Sequence, residues 1–369
     1  MRLTSSLPLV ALVTSALLAL GGCQPGSYQE SKPPETLAGD RAELSDVTFL
    51  ENPRDYVGAS TALLGPLTLT PLVSKRAQKL PVAVDSDELG EPLSVTVSST
   101  KRLLALDMSG SLAAMVWALG FGENLVGRDI STTFPGSGEL PVVTGSGHAI
   151  SPESVLALRP DLIITDGTIG PLDVVLQLRE AGIPVVFVRE TPGLSAPAAM
   201  ATSLGEILGV AELGVELATS LTASITSVGA VIAEKAPQAQ ADKLRMVFLY
   251  LRGGNGIYYL FGEESGSGDL IEALGGIDIA TETGWTGLRP MTDEALVAAN
   301  PDLILVMSEG LASVGGVEKL IEAKPALGLT RAGINRRFVD MADAQVLSFG
   351  PRTPEIMDAL ARAIYSPGQ

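Results

Sequence analysis

The sequence predicts an α/β fold of two lobes, each with a mainly parallel sheet covered by helices, joined by one long connecting helix. Three observations predict it. The chain has 369 residues, more than one hydrophobic core usually supports. Two distant segments look alike: residues 150–166 read ISPESVLALRPDLIITD and residues 291–307 read MTDEALVAANPDLILVM, at a constant offset of 141. Between them, Leu213, Leu217, Leu221, Ile225, Val228 and Ile232 recur at spacings of four, four, four, three and four, which is one helical stripe. Residues 212–235 at a rise of 1.5 Å each would span about 36 Å, enough to cross from lobe to lobe as one rigid rod.

Each repeat copy predicts the same unit. A capping residue precedes Glu153 or Glu294, a short helix with one apolar face follows, and Pro160-Asp161 or Pro301-Asp302 ends it and opens a strand. The strands, LIIT and LILV, are continuous apolar runs rich in Ile and Val, as expected of parallel strands covered on both faces. Helices ended by Gly precede both copies, at residues 111–120 and 269–276, and a helix, Gly turn and strand follow at 177–188 and 332–341.

Composition narrows the function classes. Hydrophobic residues make up 46% and charged residues 18%, which supports a packed core and excludes a solvated polymer. With 25 Lys plus Arg against 42 Asp plus Glu, the net charge of −17 repels phosphate backbones, so nucleic acid is excluded as a partner. A single Cys excludes an intrachain disulfide and Cys-cluster metal sites, and a single His excludes sites of two or three imidazoles.

Residues 1–23 read MRLTSSLPLVALVTSALLALGGC: one Arg, an apolar run, small residues, then the sole Cys. This is a secretory signal, too short for a bilayer span of about 20 apolar residues. Its Leu-Gly-Gly-Cys end resembles the lipobox of bacterial lipoproteins. That resemblance implies cleavage before Cys23 and acylation there, hence an extracytoplasmic protein anchored to the cell membrane by lipid. Loss of residues 1–22 removes only Arg2 and leaves a net charge of −18. Residues 24–44 read as a tether, and 45–80 carry no clear helix or strand pattern. The expected organisation is a signal peptide at 1–22, an anchored tether and extension at 23–80, a first lobe at 81–195, a connecting helical segment at 196–240 and a second lobe at 241–369.

A lipid-anchored pair of α/β lobes joined by one long helix resembles the substrate-binding proteins of ABC importers for haem, siderophores and cobalamin, of the class III fold. The likeness runs from about residue 80 to the end, and implies a cleft between the lobes as the ligand site. Two loops qualify to face it. Residues 144–150, TGSGHAI, carry the only imidazole, and residues 247–254, VFLYLRGG, place Tyr250 and Arg252 on one face of a strand end. Together with GRDISTTFPG (127–136) and RLLALD (102–107), these loops are similar to those of the haemin-binding lipoproteins of actinobacterial haemin importers (HmuT-like). The resemblance implies that ferric haemin is held between His148 and Tyr250, with Arg252 contacting the phenolate oxygen, and that an ABC permease and ATPase are the partners. No covalent chemistry, and so no enzyme activity, is implied.

The chemistry agrees. Ferric iron favours an oxygen anion and tyrosinate is an attested axial haem ligand, while imidazole supplies the opposite position. A free phenol has a pKa near 10, so iron and a donating guanidinium are needed to favour the anion. Alternatives stand beside this reading. Tyr258 and Tyr259 are competing phenols, although neither has an Arg two residues on. Arg252 could equally pair with a haem propionate, and Met108, Trp285 and Met291 are candidates to line the porphyrin or simply core. The matching Glu153 and Glu294 fit either docking onto permease arginines or a helix first turn favoured by the dipole. A ferric siderophore or cobalamin is the nearest alternative cargo. A hydrolase would have to use Ser146 with His148, without a Gly-x-Ser-x-Gly elbow, and an adhesion or scaffold lipoprotein would leave the cleft without cargo.

Overall fold

The computed structural model describes residues 41–65, 77–88, 91–134, 136–189, 192–251 and 258–368. Cys23, with the signal segment and most of the tether, lies outside the described residues, as does Arg252. In chain order the strands are β1 (Ser60–Ala62), β2 (Val82–Glu88), β3 (Glu91–Val97), β4 (Leu103–Leu106), β5 (Leu162–Thr165), β6 (Val185–Phe187), β7 (Arg245–Leu251), β8 (Tyr258–Leu260), β9 (Ile277–Asp278), β10 (Arg289–Pro290), β11 (Leu303–Met307) and β12 (Phe338–Met341). The first five α-helices are α1 (Ser111–Val116), α2 (Pro152–Leu158), α3 (Leu172–Glu180), α4 (Ala196–Ile207) and α5 (Ala211–Lys235).

Two main sheets and a separate two-stranded hairpin organise these elements. In the first lobe β4, β5 and β6 run parallel in that order, beside the antiparallel hairpin β2–β3. In the second the order is β1-β12-β11-β7-β8-β10, parallel from β1 to β7 and antiparallel at β8 and β10, with β9 also on β7. Both sheets are covered on both faces. Along β4, Leu103 and Ala105 enter one core and Leu104 and Leu106 another; along β7, Met246 and Phe248 part in the same way from Val247 and Leu249. Double coverage is why these strands read as unbroken apolar runs rather than as alternation.

The repeat is reproduced down to its caps. Ser151 accepts from the Ser154 N–H at the start of α2, and Thr292 accepts from the Ala295 N–H at the start of the helix Asp293–Ala299. Both helices end on a left-handed residue, Arg159 at φ 45° and Asn300 at φ 43°. The next step also matches: the Asp161 N–H donates to the Arg102 carbonyl and the Asp302 N–H to the Arg245 carbonyl, each at 2.8 Å. The Pro-Asp pair is therefore a device for entering a strand at its amino end.

Helix α5 connects two cores. Its first half buries Leu213, Leu217 and Leu221 in the core of the first lobe, and its second half buries Ile225 and Ile232 in that of the second. It is laid tightly on α4 through glycines: a methyl carbon added at Gly214 would sit 2.6 Å from the Ala201 carbonyl oxygen, and one at Gly205 would sit 2.6 Å from Gly214 Cα. Gly→Ala usually favours a helix by up to about 1 kcal/mol. Here the sign should reverse, and Gly214→Ala is expected to cost about 1–3 kcal/mol in urea unfolding because the two backbones must separate.

The patternless stretch before residue 80 has a definite role. Strand β1 adds to the second sheet in parallel with β12, Leu44 enters that lobe's core, and Phe49 stacks on Tyr365 with ring centroids 4.9 Å apart. A three-residue strand carries no period, so nothing local announces it.

The carboxyl ends of the strands face one another across the molecule. Ser109 and Ser111, following β4, and Ser348 and Arg352, following β12, line one narrow crevice. A methyl carbon added at Gly350 would lie 2.9 Å from the Ser111 side chain. In open α/β sheets this is the edge at which ligands bind.

Candidate functional site

His148 is carried by the first lobe at the tip of a tight hairpin. Thr144 and Ile150 form an antiparallel bridge, the Gly145 N–H donates to the Ala149 carbonyl at 2.8 Å, and the Ile150 N–H donates to Gly170, beyond β5, at 2.8 Å. Within the tip Gly147 has φ 72° and His148 itself φ 59°. A left-handed conformation is uncommon outside glycine, and the surrounding structure must over-determine it. The half-buried imidazole is thus held at the carboxyl edge of the first sheet.

Tyr250 is carried by the second lobe at the carboxyl end of β7, half-buried, on the same face as Met246 and Phe248. Its ring packs edge-on against Phe261 at 6.0 Å and Tyr259 at 6.4 Å. The three phenols now separate. Tyr259 is directly opposite Tyr250 in the ladder and shares its face, whereas Tyr258 is opposite Leu251 and is buried on the other side. The Tyr258 hydroxyl donates to Asp293 at 2.7 Å, and burial first and that carboxylate second push its pKa well above the ordinary phenol value. A phenol held neutral in this way is a poor anionic ligand, which removes Tyr258 from the candidates. Arg252, two residues beyond Tyr250, lies outside the described residues.

Glu153 and Glu294 are exposed in the first turns of α2 and the helix Asp293–Ala299, one per lobe. Met108 is 51% exposed at the end of β4, whereas Met291 is 8% exposed inside a core and does not line a cleft. Trp285 packs against that core with the Arg289 guanidinium 5.1 Å from its ring centre. A cavity of about 590 Å³ lies elsewhere, between the hairpin β2–β3 and the junction of α4 with α5. Its rim at Ala77 and Arg189 adjoins residues outside the described set, and it is assigned no ligand.

Three aspartates of the first lobe escaped the sequence analysis as a group. Asp107 follows β4, Asp166 follows β5, and Asp129 follows the short stretch that bridges to β4. Asp107 accepts from the N–H groups and hydroxyl at the start of α1, Asp129 from Ser131 and Thr132, and Asp166 from Thr168. Burial first and the Asp107 charge second push Asp129 up to about 7 and Asp166 up to about 6. The visible signal was an Asp closing an apolar run at two of them, in RLLALD and LIITD. Folded protein therefore holds protons that the unfolded chain, with carboxyls near pKa 3.9, has released. Stability from these groups is present below about pH 4 and is lost as pH rises through 6 to 7. Asp129→Asn, which keeps an acceptor for both N–H groups, is expected to flatten that decline, read as a smaller difference in Tm between pH 5 and pH 7.5.

The profile of the periplasmic binding protein family matches residues 108–344. The chain belongs to this family. A solved structure of the heme-binding protein HmuT superposes with a TM-score of 0.78 at 35% identity, covering 85% of this chain and 99% of HmuT. The ABC transporter substrate-binding lipoprotein YvrC of Bacillus subtilis is 27% identical over 298 residues, 79% of this chain and 89% of its own. A cobalamin-binding protein of Halobacterium salinarum is 25% identical over 272 residues, 73% of this chain and 70% of its own. The fold is that of the substrate-binding proteins of ABC importers: two α/β lobes and one long connecting helix. Members of the family are extracytoplasmic binding components of transport rather than enzymes.

Proposed function

We propose that this protein is the haemin receptor of an ABC importer, anchored outside the cell membrane by lipid at Cys23. It takes ferric haemin between its two lobes and passes it to the permease and ATPase. His148 and Tyr250 hold the iron from opposite sides, and Arg252 donates to the phenolate oxygen and favours the anion. Glu153 and Glu294 dock the two lobes onto the permease. The observation that carries the reading is the likeness to heme-binding HmuT across 85% of the chain. Supporting it, the only imidazole is held in a constrained hairpin at the cleft edge of one lobe, and a half-buried phenol stands at the cleft edge of the other.

The test is an absorption titration of the protein with haemin. A saturable Soret change with a tyrosinate charge-transfer band is the expected result; a spectrum that merely sums free haemin and protein would overturn the reading. Cobalamin is the second cargo to titrate, because a cobalamin-binding relative covers 73% of this chain. Saturable binding of cobalamin with none of haemin would transfer the function to that ligand.

A further inference from the structure

The crevice between the lobes contains a cation with an unspent donor. Arg352 is only 8% exposed, and it opens the 13-residue C-terminal helix Thr353–Tyr365 as its N-cap. Its Nε donates to Glu355 at 2.8 Å in an ion pair, while its buried Nη2 has no hydrogen-bond partner. Leaving a guanidinium N–H buried without an acceptor is costly even where the charge has a partner, so such groups are normally satisfied by a ligand or water. The cavity beside it is about 40 Å³, bounded by Arg352, Ser348 and Gly350 of the second lobe and by Ser109, Ser111 and Ser131 of the first.

The walls differ in what they offer. The Ser109 and Ser111 hydroxyls already donate to Asp107 and present lone pairs, so they cannot serve an anion. Arg352 offers a guanidinium N–H, and the amino end of the 13-residue helix adds a favourable field for negative charge. Ser131 and Ser348 offer rotatable hydroxyls on either side. Room for a group of three heavy atoms, with one charged donor and two hydroxyls contributed by both lobes, describes a carboxylate slot.

We propose that the Arg352 crevice binds a carboxylate, and that in the working protein this is one propionate of the bound porphyrin. The second half of the proposal rests on the haemin reading above; the first does not. Each propionate is a carboxylate on a two-carbon arm, so the slot would seat the macrocycle's edge while the iron is held elsewhere. Cargo bound in this way bridges both lobes at a second point.

Two arms test it with the full chain, comparing wild type, Arg352→Gln and Arg352→Lys, each first shown to keep the wild-type circular dichroism. The first arm titrates haemin and haemin dimethyl ester. Esterification should weaken wild-type binding about tenfold or more, the loss of one charge-assisted hydrogen bond, with little further loss in Arg352→Gln and no change in the iron spectrum. The second arm adds sodium propionate against sodium chloride and follows Tm. Wild type should rise saturably and Arg352→Gln should not, with Arg352→Lys restoring part of both effects. Propionate dependence without ester discrimination would keep the slot and overturn its assignment to the cargo. Loss of haemin binding altogether in wild type would sink the function, with the second arm still deciding the slot. If neither arm depends on Arg352, the proposal is wrong.

Discussion

Tyr250→Phe should lower haemin affinity by at least about a hundredfold and abolish the charge-transfer band, with the fold intact. The size follows from what the proposed role would remove: an iron bond, where disturbing even a neighbour of a metal ligand commonly costs about 10- to 100-fold. Phenylalanine keeps the edge-on packing against Phe261, so loss of binding cannot be attributed to collapse of the strand end. His148→Ala should likewise change the spectrum, and the double variant should bind haemin no better than a surface does. Tyr259→Phe is the informative control, because its ring lies on the same face only 6.4 Å from that of Tyr250. If Tyr259→Phe removes the band and Tyr250→Phe keeps it, the ligand has been assigned to the wrong strand. Tyr258→Phe should leave the spectrum alone and cost only the hydrogen bond to Asp293.

The second large effect is on stability and lies at the opposite edge of the sheet. Arg337, 1% exposed just before β12, donates to the Gly58 carbonyl, the Ser60 hydroxyl and the Ala363 and Ile364 carbonyls, and covers the Tyr56 ring at 4.7 Å. One guanidinium thus ties the chain entering β1, the strand β12 and the end of the C-terminal helix together. Burial pulls its pKa down to about 10, so it remains charged at neutral pH. Arg337→Leu removes the cation and strands those carbonyls in the interior. We expect a loss of about 2–4 kcal/mol in urea unfolding, since each unsatisfied buried acceptor costs about 1–3 kcal/mol and relief of the buried charge returns part of it. Haemin binding to the folded fraction should be unchanged, because the proposed site is at the carboxyl ends of the strands. An unfolding midpoint equal to that of wild type would show that β1 does not depend on this residue.

Much of the architecture was legible in the chain. The Pro-Asp repeat, the long stripe at 213–232 and the apolar runs specify helices and parallel strands because helix caps, fixed proline geometry and two-sided burial are local constraints. What stayed hidden was whatever depends on residues distant in sequence. Strand β1 is three residues long and acquires its partner from a segment almost 280 residues away. Asp107, Asp129 and Asp166 are ordinary caps in sequence, and only burial beside one another raises two of them.

The site divides in the same way. Composition by itself determined that the chain has one imidazole, and the strand-end spacing put Tyr250 on a face with Arg252, so the candidate ligands could be named without coordinates. Choosing among three phenols required the ladder: register sets Tyr258 on the far face beside Asp293 and leaves Tyr250 and Tyr259 together. A buried guanidinium with a spare donor, such as Arg352, has no signature in sequence at all. Caps and hydrophobic periods are settled between near neighbours, whereas protonation, exposure and satisfied hydrogen bonds are settled by whatever the folded chain brings alongside.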